Sequence, residues 1–95
     1  MKVLASIRAK NSYHKIKNDI ELKWGEIVAK SFEQKIKDFF DLLELFPKIG
    51  TLHDQDKNIR SFQLTKQTRV FYRIKNNRIT ILVFFEVAQS PNKKF

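Results

Sequence analysis

Two runs of β-branched and aromatic residues, Arg69 to Lys75 and Arg78 to Ala88, flank Asn76-Asn77. This pairing constrains the fold more than any other stretch. Asparagine tolerates positive φ better than most residues, so two of them between alternating strand-formers predict a tight two-residue hairpin.

With that loop, Lys75 pairs with Arg78, Arg73 with Thr80, Phe71 with Leu82 and Arg69 with Phe84. The register sorts the side chains. One face collects Val70, Tyr72, Ile74, Ile79, Ile81, Val83, Phe85 and Val87, an apolar surface that the rest of the chain must cover. The other carries Arg69, Phe71, Arg73, Lys75, Arg78, Thr80, Leu82, Phe84, Glu86 and Ala88. Cations interleaved with rings suit a nucleic-acid or acidic partner, because the cations meet phosphates or carboxylates while rings stack on bases. Arginine stems also commonly cover apolar sheet surface with their heads in water, and the register alone does not choose between these readings.

Upstream, Lys2 to Ile7 alternates weakly and predicts a short strand. Tyr13, Ile16, Ile20 and Trp24 then recur at helical spacing, with Ser6 or Asn11 as N-cap and Gly25 as terminator. The period resumes as Val28, Phe32, Ile36, Phe39, Leu43 and Phe46, and Pro47 closes that helix near Leu45. The two stripes hold Tyr13, Trp24, Phe32, Phe39, Phe40 and Phe46, aromatic area enough to cover the apolar sheet face. Pro47 to Lys57 reads as a loop in which His53 and Asp54 are neighbours. No second histidine lies at ligand spacing from His53, so His53 and His14 are expected in solvated, structural roles. Asn58 to Leu64 predicts a further strand, with Arg60, Phe62 and Leu64 on one face, and Lys66 lies in the turn after it.

The 95 residues suit one domain, expected to span 1–95. A net charge of +9 points to an anionic partner. The absence of cysteine excludes disulfides, thiolate metal sites and cysteine nucleophiles, and two glycines exclude phosphate cradles built on glycine-rich turns. Neither cofactor nor metal is expected. The apolar run at the start is too short for a signal peptide, and no stretch approaches the roughly 20 apolar residues of a membrane span, so the expected location is the cytoplasm.

A strand, two helices and three consecutive strands in a short basic chain resemble the RelE/ParE superfamily of prokaryotic toxin–antitoxin toxins. The resemblance rests on Trp24-Gly25, the Phe46-Pro47-Lys48-Ile49-Gly50 run, Asn58 to Phe62, Val70 to Ile74, and the ending from Phe84 to Pro91. It implies an α+β fold of order βααβββ: a small antiparallel-dominated sheet with a helical hairpin on one face and a basic face opposite. Two functional classes follow from it, a ribosome-dependent mRNA interferase and a DNA gyrase inhibitor without nuclease chemistry; a plain basic binding module is the third reading. Each toxin class implies a cognate antitoxin, expected to be acidic. For the nuclease class, position implies Arg60, Arg69 and Arg73 as catalytic cations, because a guanidinium grips phosphate oxygens in pairs. Lys66, Phe71, Lys75, Arg78, Phe84, Gln89, Lys93 and Lys94 are the expected target contacts. The chain departs from the family pattern at Val87-Ala88-Gln89, where many relatives carry arginine or histidine. That departure leaves the nuclease without an evident general acid or base.

Overall fold

The computed structural model describes residues 1–87. Its elements run β1 (Lys2–Ala5), α1 (Ile7–Trp24), α2 (Glu26–Leu45), β2 (Thr51–Asp54), β3 (Ile59–Gln63), β4 (Thr68–Lys75) and β5 (Arg78–Glu86). The strands form one five-stranded sheet in the order β1-β5-β4-β3-β2. β1 is parallel to β5 and the remaining pairs are antiparallel. This is the expected α+β arrangement, with one more strand than the sequence reading supplies.

Local chemistry places each helix boundary. Ser6 caps α1 by accepting from the Ala9 amide at 3.0 Å, a contact worth about 1 kcal/mol. Gly25, at φ +94°, turns the chain between the helices in a conformation that side chains resist. Pro47 restricts Phe46 to φ −131°, and α2 stops. Ala9, Ile16, Phe32, Ile36, Phe39 and Leu43 pack onto Val70, Tyr72, Ile79, Ile81 and Phe84 to make the core. Phe39 stacks on Phe62 of β3 at a centroid distance of 4.8 Å. Trp24 and Phe46, expected to help cover the sheet, are instead 66% and 58% exposed at opposite ends of the helical hairpin. Trp24 is the last residue of α1 and Phe46 caps the end of α2.

The hairpin forms as expected at its tip. Asn76 and Asn77 take φ +54° and +63°, and Lys75–Arg78 and Arg73–Thr80 pair in the predicted register. A β-bulge then shifts it. Tyr72 pairs with Ile81 but Phe71 with Val83, so Leu82 is the extra residue. Beyond the bulge Arg69 pairs with Phe85 rather than Phe84, and the faces exchange. Phe84 is core at 4% exposure, whereas Phe85, at 53%, lies on the open face with Val83. The bulge sits where the short β1 ends, and α1 serves the β5 backbone groups that β1 no longer reaches. The Ser6 amide donates to Ile81 O at 3.0 Å, Ser6 Oγ to Leu82 O at 3.0 Å, and the Phe84 amide donates to Ser12 Oγ at 2.9 Å.

The segment expected as a loop from Pro47 to Lys57 contains β2, which pairs Thr51 with Ser61 and Leu52 with Arg60. Four residues, interrupted by a bulge at His53, carry too little alternation to announce a strand.

Candidate target-binding face

The helices cover one face of the sheet and leave the other open. Ladder partners share a face, so Thr51, Ser61, Phe71 and Val83 lie on the open side, as do Asp54, Ile59, Arg73 and Thr80. Arg69, Gln63 and Phe85 form the next open-face row, and Lys75 with Arg78 ends it at the turn. Arg69, Phe71 and Arg73 therefore alternate down β4 on one surface, each partly exposed. No Asp or Glu occurs from Ile59 to Phe85, so Asp54 of β2 stands against Arg69, Arg73, Lys75 and Arg78 and the balance of charge over this face is positive.

At its β2 edge the face holds a polar cluster. Arg69 donates to Ser61 Oγ at 2.8 Å, and the same oxygen lies 2.6 Å from His53 Nε2. Oγ has two lone pairs, so it can accept from Nε2–H as well as from the guanidinium, which leaves Nδ1 as the basic ring nitrogen. The bulge between Leu52 and Asp54 turns the His53 ring over the sheet, where its centroid lies 5.4 Å from that of Phe71. Ser61 is 1% exposed; His53 is open to solvent. Further along, Arg73 Nε donates to Lys57 O at 3.2 Å, leaving its terminal nitrogens for another acceptor.

The predicted site residues thus divide. Arg69, Arg73, Phe71, Lys75 and Arg78 come together on the open face. Arg60 does not, since it pairs with Tyr72 and turns to the helix side. There it donates to Lys48 O at 3.2 Å and Gly50 O at 2.8 Å, fastening the 46–50 turn. Phe84 is in the core, and its ring lies 6.0 Å from Tyr13. Lys66 is exposed in the β3–β4 turn. Gln89, Lys93 and Lys94, with Ala88, fall outside the described residues. Sequence reasoning missed His53 and Ser61 as partners of Arg69. Ser61 was legible as an open-face position by alternation, while His53 was hidden by the unrecognised strand.

The 46–50 turn is held by a second polar contact. The Gly50 amide donates to Tyr72 Oη at 2.8 Å, and Oη donates to Pro47 O at 2.8 Å. Burial raises the Tyr72 phenol above its ordinary value of 10.0, with the Gly50 hydrogen bond and the Arg60 charge opposing the shift. A Cβ on Gly50 would lie 2.6 Å from Ser61 O and 2.7 Å from Tyr72 Oη, so only glycine fits there. β2 leaves directly from this anchored turn and carries His53 to the face. Among the described residues no group of three or more His, Cys, Asp or Glu is placed to hold a metal, and no helix is long and apolar enough to cross a membrane.

A strand, a helical hairpin and a four-stranded antiparallel run with a cationic open face define the class of RelE/ParE-type toxins. The comparisons agree. A family model described as the ParE toxin of the type II toxin–antitoxin system parDE matches residues 3–90, and the chain belongs to that family. The solved chromosomal ParDE system from P. aeruginosa is similar, with a TM-score of 0.76 at 19% identity, over 93% of this chain and 97% of that one. A YoeB/ParE toxin from Agrobacterium tumefaciens aligns with a TM-score of 0.66 at 16% identity, over 93% and 100% of the two chains. The isolated E. coli RelE toxin gives 0.60 at 12%, over 96% and 88%. Among curated proteins none matches the sequence.

Proposed function

We propose that this toxin acts in the cytoplasm on the translating ribosome, with the open face of its sheet against messenger RNA, and that an acidic cognate antitoxin restrains it. One observation carries the reading: Arg69, Phe71 and Arg73 alternate along one face of β4 within a stretch free of carboxylates, beside the imidazole of His53. Successive same-face positions are roughly 7 Å apart, close to the spacing of phosphates along a strand, while Phe71 offers a ring between the cations.

Cleavage on such a face needs a proton acceptor and cations for the phosphorane. The ribose 2′-hydroxyl gives its proton to His53 Nδ1, the ring nitrogen away from the Ser61 contact, and its oxygen attacks the adjacent phosphorus. The P–O5′ bond breaks, and the leaving oxygen takes a proton from the imidazolium. The products are a 2′,3′-cyclic phosphate and a 5′-hydroxyl. Arg69 and Arg73 hold the equatorial oxygens as charge develops on them. His53 supplies the proton carrier that the ending at Ala88 lacks.

The ParE family match favours a second reading, inhibition of DNA gyrase by binding alone. Incubation with translating ribosomes, with messenger breaks mapped, separates the two. Breaks that His53→Gln slows at least tenfold support the first reading. Intact messages at high toxin, together with blocked supercoiling by purified gyrase, would remove it.

A further inference from the structure

The two guanidiniums of β4 are held in different ways. Arg69 spends a terminal nitrogen, Nη1, on Ser61 Oγ, whereas Arg73 is held through Nε, which donates to Lys57 O at 3.2 Å. That leaves Arg73 its end-on pair of terminal nitrogens, the fork that grips two oxygens of one anion. Its holder is a backbone carbonyl, so the turn between β2 and β3 decides where the fork points. Three contacts determine that turn. Asp54 Oδ1 accepts from the Lys57 amide at 2.9 Å, and the Asn58 amide donates to Gln55 O at 3.3 Å. Asn58 takes φ +53°, a left-handed conformation that asparagine tolerates. Its carbonyl then accepts from the Ile74 amide at 3.1 Å, tying the turn to β4 one residue beyond Arg73.

Asp54 puts a carboxylate on the open face, in the row of Ile59 and Arg73. Two strand spacings, about 9.5 Å, separate it from Arg73. Among the described residues the ion pairs are Lys15–Asp19 and Lys17–Glu33, and neither involves Asp54 or Arg73. The carboxylate serves the turn, and the fork stays open.

We infer that Asp54 is a positioning residue of the open face: through the amide and carbonyl of Lys57 it aims the Arg73 guanidinium at paired oxygens of an anionic group on the target. The inference rests on the reading that the open face meets the target, and not on which target that is. Charge alone makes the opposite prediction. A carboxylate on a basic face repels an anionic target, so a residue acting only by its charge would strengthen the toxin when removed. A residue acting through the turn needs an acceptor oxygen, which asparagine keeps and alanine lacks.

Three variants of the full-length toxin separate these accounts, with thermal unfolding to confirm that each folds. Asp54→Ala removes charge and acceptor, Asp54→Asn removes the charge alone, and Asp56→Ala removes an exposed charge from the same turn. Asp54→Ala is expected to leave about tenfold more survivors after induction than the wild type, the effect of misplacing one charged hydrogen bond. Asp54→Asn and Asp56→Ala are expected to arrest growth at least as fully as the wild type. In ¹H–¹⁵N spectra the Arg73 Nε–H should exchange with water about tenfold faster in Asp54→Ala and at the wild-type rate in Asp54→Asn. Wild-type arrest by Asp54→Ala, or an unchanged Arg73 Nε–H signal in it, would overturn the inference. So would equal losses of arrest in Asp54→Ala and in either other variant, since charge and not the acceptor would then be at work. Wild-type arrest by Arg73→Ala is a separate failure: it removes the reading of the open face, and the inference with it.

Discussion

Tyr72→Phe removes one oxygen and nothing else. In the wild type that oxygen accepts from the Gly50 amide and donates to Pro47 O, both at 2.8 Å, and the side chain is fully buried. The variant therefore leaves a buried amide unpaired, which costs about 1–3 kcal/mol, and removes a further neutral hydrogen bond worth about 1 kcal/mol. A loss of about 2–4 kcal/mol in a domain of this size lowers the melting temperature by roughly 8–32 °C. A pH signature separates the hydroxyl's chemistry from packing. Burial raises the Tyr72 phenol above 10.0, so the folded state holds its proton more tightly than the unfolded state does. Its contribution is complete below pH 10.0 and is lost as pH rises through the folded value. Wild-type stability should then fall above about pH 10, and Tyr72→Phe should flatten part of that limb; Tyr13, also raised by burial, retains the rest. Urea unfolding from pH 8 to 11 measures both. A loss below about 0.5 kcal/mol, or an alkaline limb identical in the two proteins, would refute this account of the turn.

The same anchor makes Gly50→Ala costly. Its Cβ would meet backbone on one side and Tyr72 on the other, so about 1–3 kcal/mol of strain is expected in thermal unfolding, and wild-type stability would show that the turn is free to shift. Ser61→Ala removes the oxygen shared by His53 and Arg69. It should cost about 1 kcal/mol of stability and change the ¹⁵N shifts of the His53 ring; an unchanged ring spectrum would show that the contact does not form in solution.

The order of elements was legible because periodicity carries it: helical spacing in two stripes, alternation in three strands, and Asn76-Asn77 between the last two. The site was legible only in part. Arg69, Phe71 and Arg73 lie on β4, where alternation alone sets the face. Phe84 was misplaced because one extra residue, Leu82, inverts every position after it, and a bulge leaves no mark in a run of apolar residues. What fixes the bulge is remote in sequence, the Ser6 and Ser12 contacts to β5. His53 was missed for a related reason. Its strand is four residues long and takes its conformation from pairing with β3 and from the Gly50 anchor, not from its own composition. Arg60 was chosen by position in a family pattern, and its face, visible from the company of Phe62, decides against a place beside Arg69.

That the open face is the working surface is tested most directly by removing the same charge from either side of the sheet. Arg69→Ala with Arg73→Ala takes two cations from the open face; Lys30→Ala with Lys37→Ala takes two exposed ones from α2. Growth after induction is the measurement, with thermal unfolding to confirm that both proteins fold. The open-face pair is predicted to abolish arrest and the α2 pair to leave it at the wild-type level. Arrest that survives the open-face pair and disappears with the α2 pair would contradict it.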